Sequence, residues 1–183
     1  VDAEAHNTCL REKVGEALSK TDGVLAVQVN VSDEAVAPAS AMRQVNTKPQ
    51  MDGTVQIWVH SASDRFRAPL DEIISKNVGR MAAYPATESQ PIPNTLHRPK
   101  PGERTEGFSQ VVFLQRPPRL TYGAWLDNWL RLHTNVGIET QSNFEYIQNV
   151  FVRSLTYGAP QYDAMVEECF PAEAMTNPQA FYN

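Results

Sequence analysis

Phe144-Glu145-Tyr146-Ile147-Gln148-Asn149-Val150-Phe151-Val152 is the stretch on which the fold turns. Its β-branched and aromatic residues read as a strand, and the period of two puts Tyr146 and Gln148 on one face and Asn149 on the other. An earlier stretch, Val24-Leu25-Ala26-Val27-Gln28-Val29-Asn30-Val31, alternates in the same way. Sliding the chain against itself by 120 positions lays Val27-Gln28 on Ile147-Gln148 and Leu10-Arg11 on Leu130-Arg131. A slide of 111 lays Met51-Asp52 on Tyr162-Asp163 and Val55 on Val166. Self-similarity at a fixed offset is the signature of an internal repeat.

The elements around these strands repeat in order. Residues 4–20, with Leu10, Val14, Ala17 and Leu18 at helical spacing, read as a helix that closes at Thr21-Asp22-Gly23. Residues 32–50 read as a long loop, and Thr54 to Ser61 as a second strand antiparallel to its predecessor. Residues 64–82 read as a helix capped by Asp64, burying Phe66, Leu70, Ile73, Ile74, Val78 and Met81. From Tyr84 to Gly107 prolines 85, 91, 93, 99 and 101 exclude a helix or a central strand and mark a linker, with room for a short edge strand near Tyr84. Residues 108–116 read as a strand ended by Pro117-Pro118. Tyr122, Trp125, Leu126, Trp129, Leu130 and His133 then form the apolar face of a helix. Residues 162–170 read as a weaker last strand.

The expected architecture is α+β, with two ferredoxin-like β-α-β-β-α-β repeats: residues 1–83, a Pro-rich linker at 84–106, and residues 107–183. Such a sheet has one bare apolar face, which a second sheet in the same chain or another subunit would cover; the expected arrangement is the first, an α+β barrel as an intrachain pseudo-dimer with a cavity for a small molecule. Because each half lacks a terminal element, the natural chain is expected to extend by a strand before Val1 and by a helix and strand after Asn183.

Composition narrows the function. Sixteen basic against 21 acidic residues give a net charge of −5, which implies no basic surface for nucleic acid. No apolar run approaches the roughly 20 residues of a membrane span, and the first residues lack the pattern of a signal peptide, so the reading is cytoplasmic. Cys9 and Cys169 match no zinc or redox spacing, and the four histidines show no metal-binding pattern. No phosphate-cradling glycine loop and no Gly-x-Ser-x-Gly elbow occur. Neither a metal nor a cofactor is called for.

Trp129-x-x-x-His133, followed by Tyr146-Ile147-Gln148-Asn149, resembles the EthD family of dimeric α+β barrel proteins. Phe113-Leu114-Gln115-Arg116-Pro117 is similar to the first strand of that family, and the likeness covers about residues 108–171. The first half looks like a diverged copy with Cys9 in place of the Trp and Lys13 in place of the His. The resemblance implies handling of small organic molecules. Relatives with this barrel include cofactor-free monooxygenases, polyketide cyclases and dehydratases, and lactone isomerases.

The candidate catalytic residues are His133, Tyr146 and Gln148. On the apolar face of its helix beside Trp125 and Trp129, a partly desolvated His133 is suited to moving a proton. Its alternative is a buried neutral histidine fixing helix to sheet. Tyr146 and Gln148 would orient a carbonyl or hydroxyl if their face lines the cavity, and otherwise are solvated or pack under a helix. Asp163, Glu167 and Glu168 form an acidic strand in which Asp163 and Glu167 share a face, a pair that can serve acid–base work or hold a hard metal but reads first as solvated surface. Two classes of function remain: a cofactor-free lyase, isomerase or oxygenase acting on a small hydrophobic or oxygenated molecule, or a non-catalytic binding or assembly module, with homo-oligomers open to either.

Overall fold

Asp2 starts the first helix by accepting the Glu4 amide on its side chain at 3.1 Å, filling one of the bonds a helix start leaves open. In the computed structural model, which describes residues 2–183, this helix (α1) runs through Ala3–Thr8, a π-turn at Cys9–Val14 and Gly15–Ser19. The π-turn closes where the Gly15 N–H reaches the Leu10 carbonyl, five residues back instead of four. The chain divides into two compact units, Val1–Met81 and Ala82–Asn183.

In the first unit, α1 buries Leu10, Val14 and Leu18. These side chains lie on an antiparallel pair, β1 (Val24–Val31) and β2 (Gly53–Val59), in which Val27 faces Ile57 and Val29 faces Val55. Val27, Val29 and Val31 with Val55, Ile57 and Val59 form the sheet side of the core, joined by Leu70 of α2 (Asp64–Ser75). Fully burying a branched side chain stabilises by about 1.5–3 kcal/mol, and these half-buried ones contribute a part of that each. Helix α2 stops short of the expected residue 82. The Asn77 N–H turns back to the Ile74 carbonyl, and its side-chain amide takes the Ile73 carbonyl at 2.8 Å, closing the helix. Phe66, expected in the buried stripe, is 60% exposed. The loop at 32–50 contains a 3-10 stretch, Glu34–Met42, with no buried residue.

The second unit holds β3 (Ala86–Ile92), β4 (Phe108–Leu114), a second π-turned helix (α3: Tyr122–Asp127, Asn128–His133, Thr134–Thr140), β5 (Glu145–Phe151), β6 (Ala164–Phe170) and the short α4 (Pro178–Phe181). The sheet order is β3-β5-β6-β4, every pair antiparallel. Strand β6 therefore lies between β4 and β5, the two strands that α3 connects, which is a split β-α-β. Two sequence expectations are corrected. Residues 84–106 belong to the second unit and supply its edge strand β3. Pro91 is tolerated there because an edge needs no second ladder bond, and the register slips between Ser89 and Ile92. The 162–170 strand, read as weak, is central, and all seven residues of β6 are buried.

At the entry to β4, Gly107 has φ +73°, and a Cβ there would lie 1.9 Å from the Phe170 carbonyl oxygen, so only glycine fits. The fold is α+β with two antiparallel sheets. Among the described residues no helix is long and apolar enough to cross a membrane.

The register of the internal likeness also changes. The π-turns step 119 positions, from Cys9 to Asn128, and β2 to β6 step 111, from Gly53 to Ala164. A step of 120 would match Val27, which faces the helices, with Ile147, which points away. A step of 119 matches Val27 with Tyr146 and Val29 with Gln148, both packed toward their helix.

Candidate functional site

Trp125, Trp129 and His133 are four apart and would share a face of an unbroken α-helix. Trp125 and Trp129 do, stacked with centroids 5.5 Å apart and both buried. The π-turn at Asn128–His133 then inserts one residue into the turn and advances the phase of everything after it. Thr134 takes the inward position at 6% exposed, and His133 is turned out and exposed. The expectation of a partly desolvated His133 on the apolar face is thus corrected. The Trp129 carbonyl accepts both the N–H of Thr134 and, at 2.9 Å, its hydroxyl, which fixes the bulge.

Beneath this bulge lie Tyr146 and Gln148, 2% and 3% exposed, on the face that the strand period gave them. The Gln148 side-chain amide donates to Thr134 Oγ1 at 2.7 Å and to the Tyr146 hydroxyl at 3.2 Å. The Tyr146 hydroxyl thus accepts a hydrogen bond and keeps its own proton to donate. Burial pushes its pKa up, the polar groups of Gln148, Thr134 and Trp129 pull it down, and the neighbouring Glu168 pushes it up again. The Trp129 indole Nε1 is near enough to favour the phenolate yet lies outside hydrogen-bond geometry, so this buried donor has no hydrogen-bond partner.

Glu168, which the sequence reads as solvated surface, is instead buried in this site. It pairs with Tyr146 across β5 and β6, is 9% exposed, and accepts the Asn143 side-chain amide at 2.8 Å. Burial raises its pKa, and the Asn143 hydrogen bond and the charge of His133 oppose that rise. His133 therefore lies at the exposed margin of the site. Above the pair sits Gly137, where a Cβ would lie 3.6 Å from Tyr146 Cε1 and 4.0 Å from Glu168 Oε1. The signal available in the sequence was the alternation of β6, which puts Glu168 on the face opposite Glu167.

The other acidic residues do different work. Glu167 is fully buried on the far face and accepts the Ser109 hydroxyl at 2.8 Å. Asp163 lies just before β6, where Oδ2 accepts the Arg116 N–H at 2.7 Å. The Cys169 thiol donates to Glu145 at 3.1 Å, and burial with that carboxylate pushes its pKa far up, so it is no nucleophile. Among the described residues no group of three or more His, Cys, Asp or Glu side chains is placed to hold a metal ion.

The first unit closes its helix–sheet core without polar groups at the matched strand positions, although its helix turns Val14, the counterpart of the exposed His133, into the core. At matched positions Gly15 replaces Thr134, Val27 replaces Tyr146, Val29 replaces Gln148, Ile57 replaces Glu168 and Leu18 replaces Gly137. A Cβ on Gly15 would lie 3.3 Å from Val29 Cγ2, so apolar contact stands where the second unit has a hydrogen bond. The earlier pairing of Cys9 with the Trp and Lys13 with the His becomes Leu10 with Trp129 and Val14 with His133. No family model matches this chain, and comparison with curated proteins and with solved structures likewise finds no match.

Proposed function

We propose that the second unit performs acid–base chemistry on a small oxygenated organic molecule, without a cofactor. The observation that carries this reading is the contrast between the units: one closes this helix–sheet core with Gly15, Val27, Val29 and Ile57, the other places Thr134, Tyr146, Gln148 and Glu168 there. A fold that an apolar core satisfies does not require four polar residues, and buried polar groups cost stability that packing alone does not return. In this reading Glu168, whose burial favours the protonated form at higher pH than an ordinary carboxyl, takes a proton from carbon next to a carbonyl and returns it. Tyr146, held by Gln148, donates its free proton to the carbonyl oxygen as negative charge develops there. His133 exchanges the proton with solvent at the margin.

The split β-α-β of the second unit supports the wider proposal that the chain is a tandem of ferredoxin-like units of EthD type, forming an α+β barrel. A second reading, a non-catalytic binding or assembly module, is favoured by the near-complete burial of Tyr146 and Gln148. The test is proton–deuterium exchange at the α-carbon of a panel of 1,3-dicarbonyl compounds and aryl ketones in D2O, followed by NMR. Exchange above buffer that falls by roughly 10²-fold in Glu168→Gln is expected, since that is the usual worth of a general base. Exchange indifferent to Glu168→Gln, or none across the panel, leaves the binding module as the reading.

A further inference from the structure

We propose that a cavity in the Ala82–Asn183 unit, apart from the Glu168 site, binds a single-ring hydroxylated aromatic carboxylate. This cavity, about 230 Å³, opens where β5 leaves the sheet and is lined by Tyr84, Tyr122, Phe151, Arg153, Tyr162 and Asp163 among others. It shares no residue with the Glu168 site. Its floor is made of packed rings: the Tyr84 ring stacks on Phe151 at 4.5 Å and 8°, Tyr162 meets Tyr84 edge-on at 6.4 Å, and the Tyr84 hydroxyl donates to the Pro160 carbonyl at 2.6 Å. The volume lies below the roughly 300 Å³ at which drug-sized sites begin, so one ring fits and a nucleotide, flavin or acyl chain does not.

The charges at the cavity specify the two ends of the ligand. Arg153 makes only a 3.4 Å contact to the carbonyl of its neighbour Ser154 and pairs with no carboxylate among the described residues, leaving its guanidinium for an anion. Asp163 also lines the cavity. Its Oδ2 is taken by the Arg116 N–H at 2.7 Å, and Oδ1 remains to accept a ligand hydroxyl. A simple dianion would be repelled by Asp163, and a neutral ring would leave Arg153 unused. A ring with a carboxylate at one end and a hydroxyl at the other satisfies both, between the exposed Tyr122 and the edge of Tyr162.

The test titrates the intact chain with 4-hydroxybenzoate, 4-hydroxybenzamide and benzoate, reading amide shifts by 15N NMR and affinity by calorimetry. Saturable binding of 4-hydroxybenzoate is expected, with shifts confined to residues around 84, 122, 151–154 and 160–163. The amide analogue and Arg153→Gln should each weaken binding at least about fivefold, and loss of the hydroxyl in benzoate about threefold. Arg153 is exposed, so its variant should keep the wild-type melting temperature, which the same samples report. No saturation up to roughly 10 mM, which would be weaker than about 3 kcal/mol of binding free energy, overturns the proposal. So does equal affinity for the three compounds, or shifts centred elsewhere.

Discussion

Replacing Gln148 by leucine tests whether the network under α3 is held by its hydrogen bonds or by shape. Leucine removes the donors to Thr134 Oγ1 at 2.7 Å and to the Tyr146 hydroxyl at 3.2 Å. Two such bonds contribute about 2 kcal/mol together. Thr134 keeps its bond to the Trp129 carbonyl, whereas the Tyr146 hydroxyl is left 2% exposed without that donor, which costs a further ~1–2 kcal/mol. Relief from burying the Gln148 amide offsets roughly 1 kcal/mol. The net expectation is destabilisation of about 2–3 kcal/mol. Urea unfolding followed by the fluorescence of Trp125 and Trp129 reads it. With a slope near 1 kcal/mol per molar for a unit of this size, the midpoint should fall by about 2–3 M. The first unit supplies the second half of the test, because it holds Gly15, Val27 and Val29 at these positions with no polar group at all. The triple variant Thr134→Val, Tyr146→Phe, Gln148→Leu should therefore lose less than the single Gln148→Leu, since no partner is left stranded. A single variant within about 0.5 kcal/mol of wild type, or a triple variant as costly as the sum of its parts, would refute this reasoning.

Other expectations follow from single residues. Glu168 has a pKa raised by burial, so the stability it contributes is full below the ordinary carboxyl range and lost as pH rises through its folded pKa. Glu168→Gln should accordingly melt above wild type at pH 7 and converge with it toward pH 4, as thermal scans across that range would report. Gly107→Ala forces a Cβ onto the Phe170 carbonyl at 1.9 Å in a left-handed backbone, and should cost roughly 3 kcal/mol or more by calorimetry or fail to accumulate folded protein. His133→Gln, at an exposed position, should shift stability by less than about 0.5 kcal/mol. A loss of 1–3 kcal/mol in urea titration would return His133 to the core.

Much of the architecture was legible from period alone. Strand β1 spans the residues that alternation marked, and β2 and β6 keep the step of 111, because half-buried antiparallel strands write their faces into the chain every second residue. What was illegible is the π-turn. An inserted residue leaves composition and local propensity unchanged, so nothing near Asn128 announces that Thr134 and not His133 will face inward. The same slip put the repeat at 120 instead of 119. Glu168 was hidden for a different reason: two adjacent glutamates look like a solvated edge, and only the strand order shows that β4 and β5 flank them on both sides. Pro91 disguised β3, since proline argues against a central strand and says nothing against an edge.

The two edges of the second sheet are not equally protected against unwanted pairing. Strand β3 carries Glu88 and Pro91, a charge and a missing donor, the ordinary means by which an edge refuses a new neighbour. Strand β4, Phe108-Ser109-Gln110-Val111-Val112-Phe113-Leu114, carries neither, and its seven residues combine high strand propensity with zero charge. Heating, refolding or freeze–thaw that loosens the surroundings of this segment will expose a template for cross-β assembly. Aggregates should then be seeded at 108–114, and a lysine at Gln110 is the gatekeeper that would keep the chain dispersed.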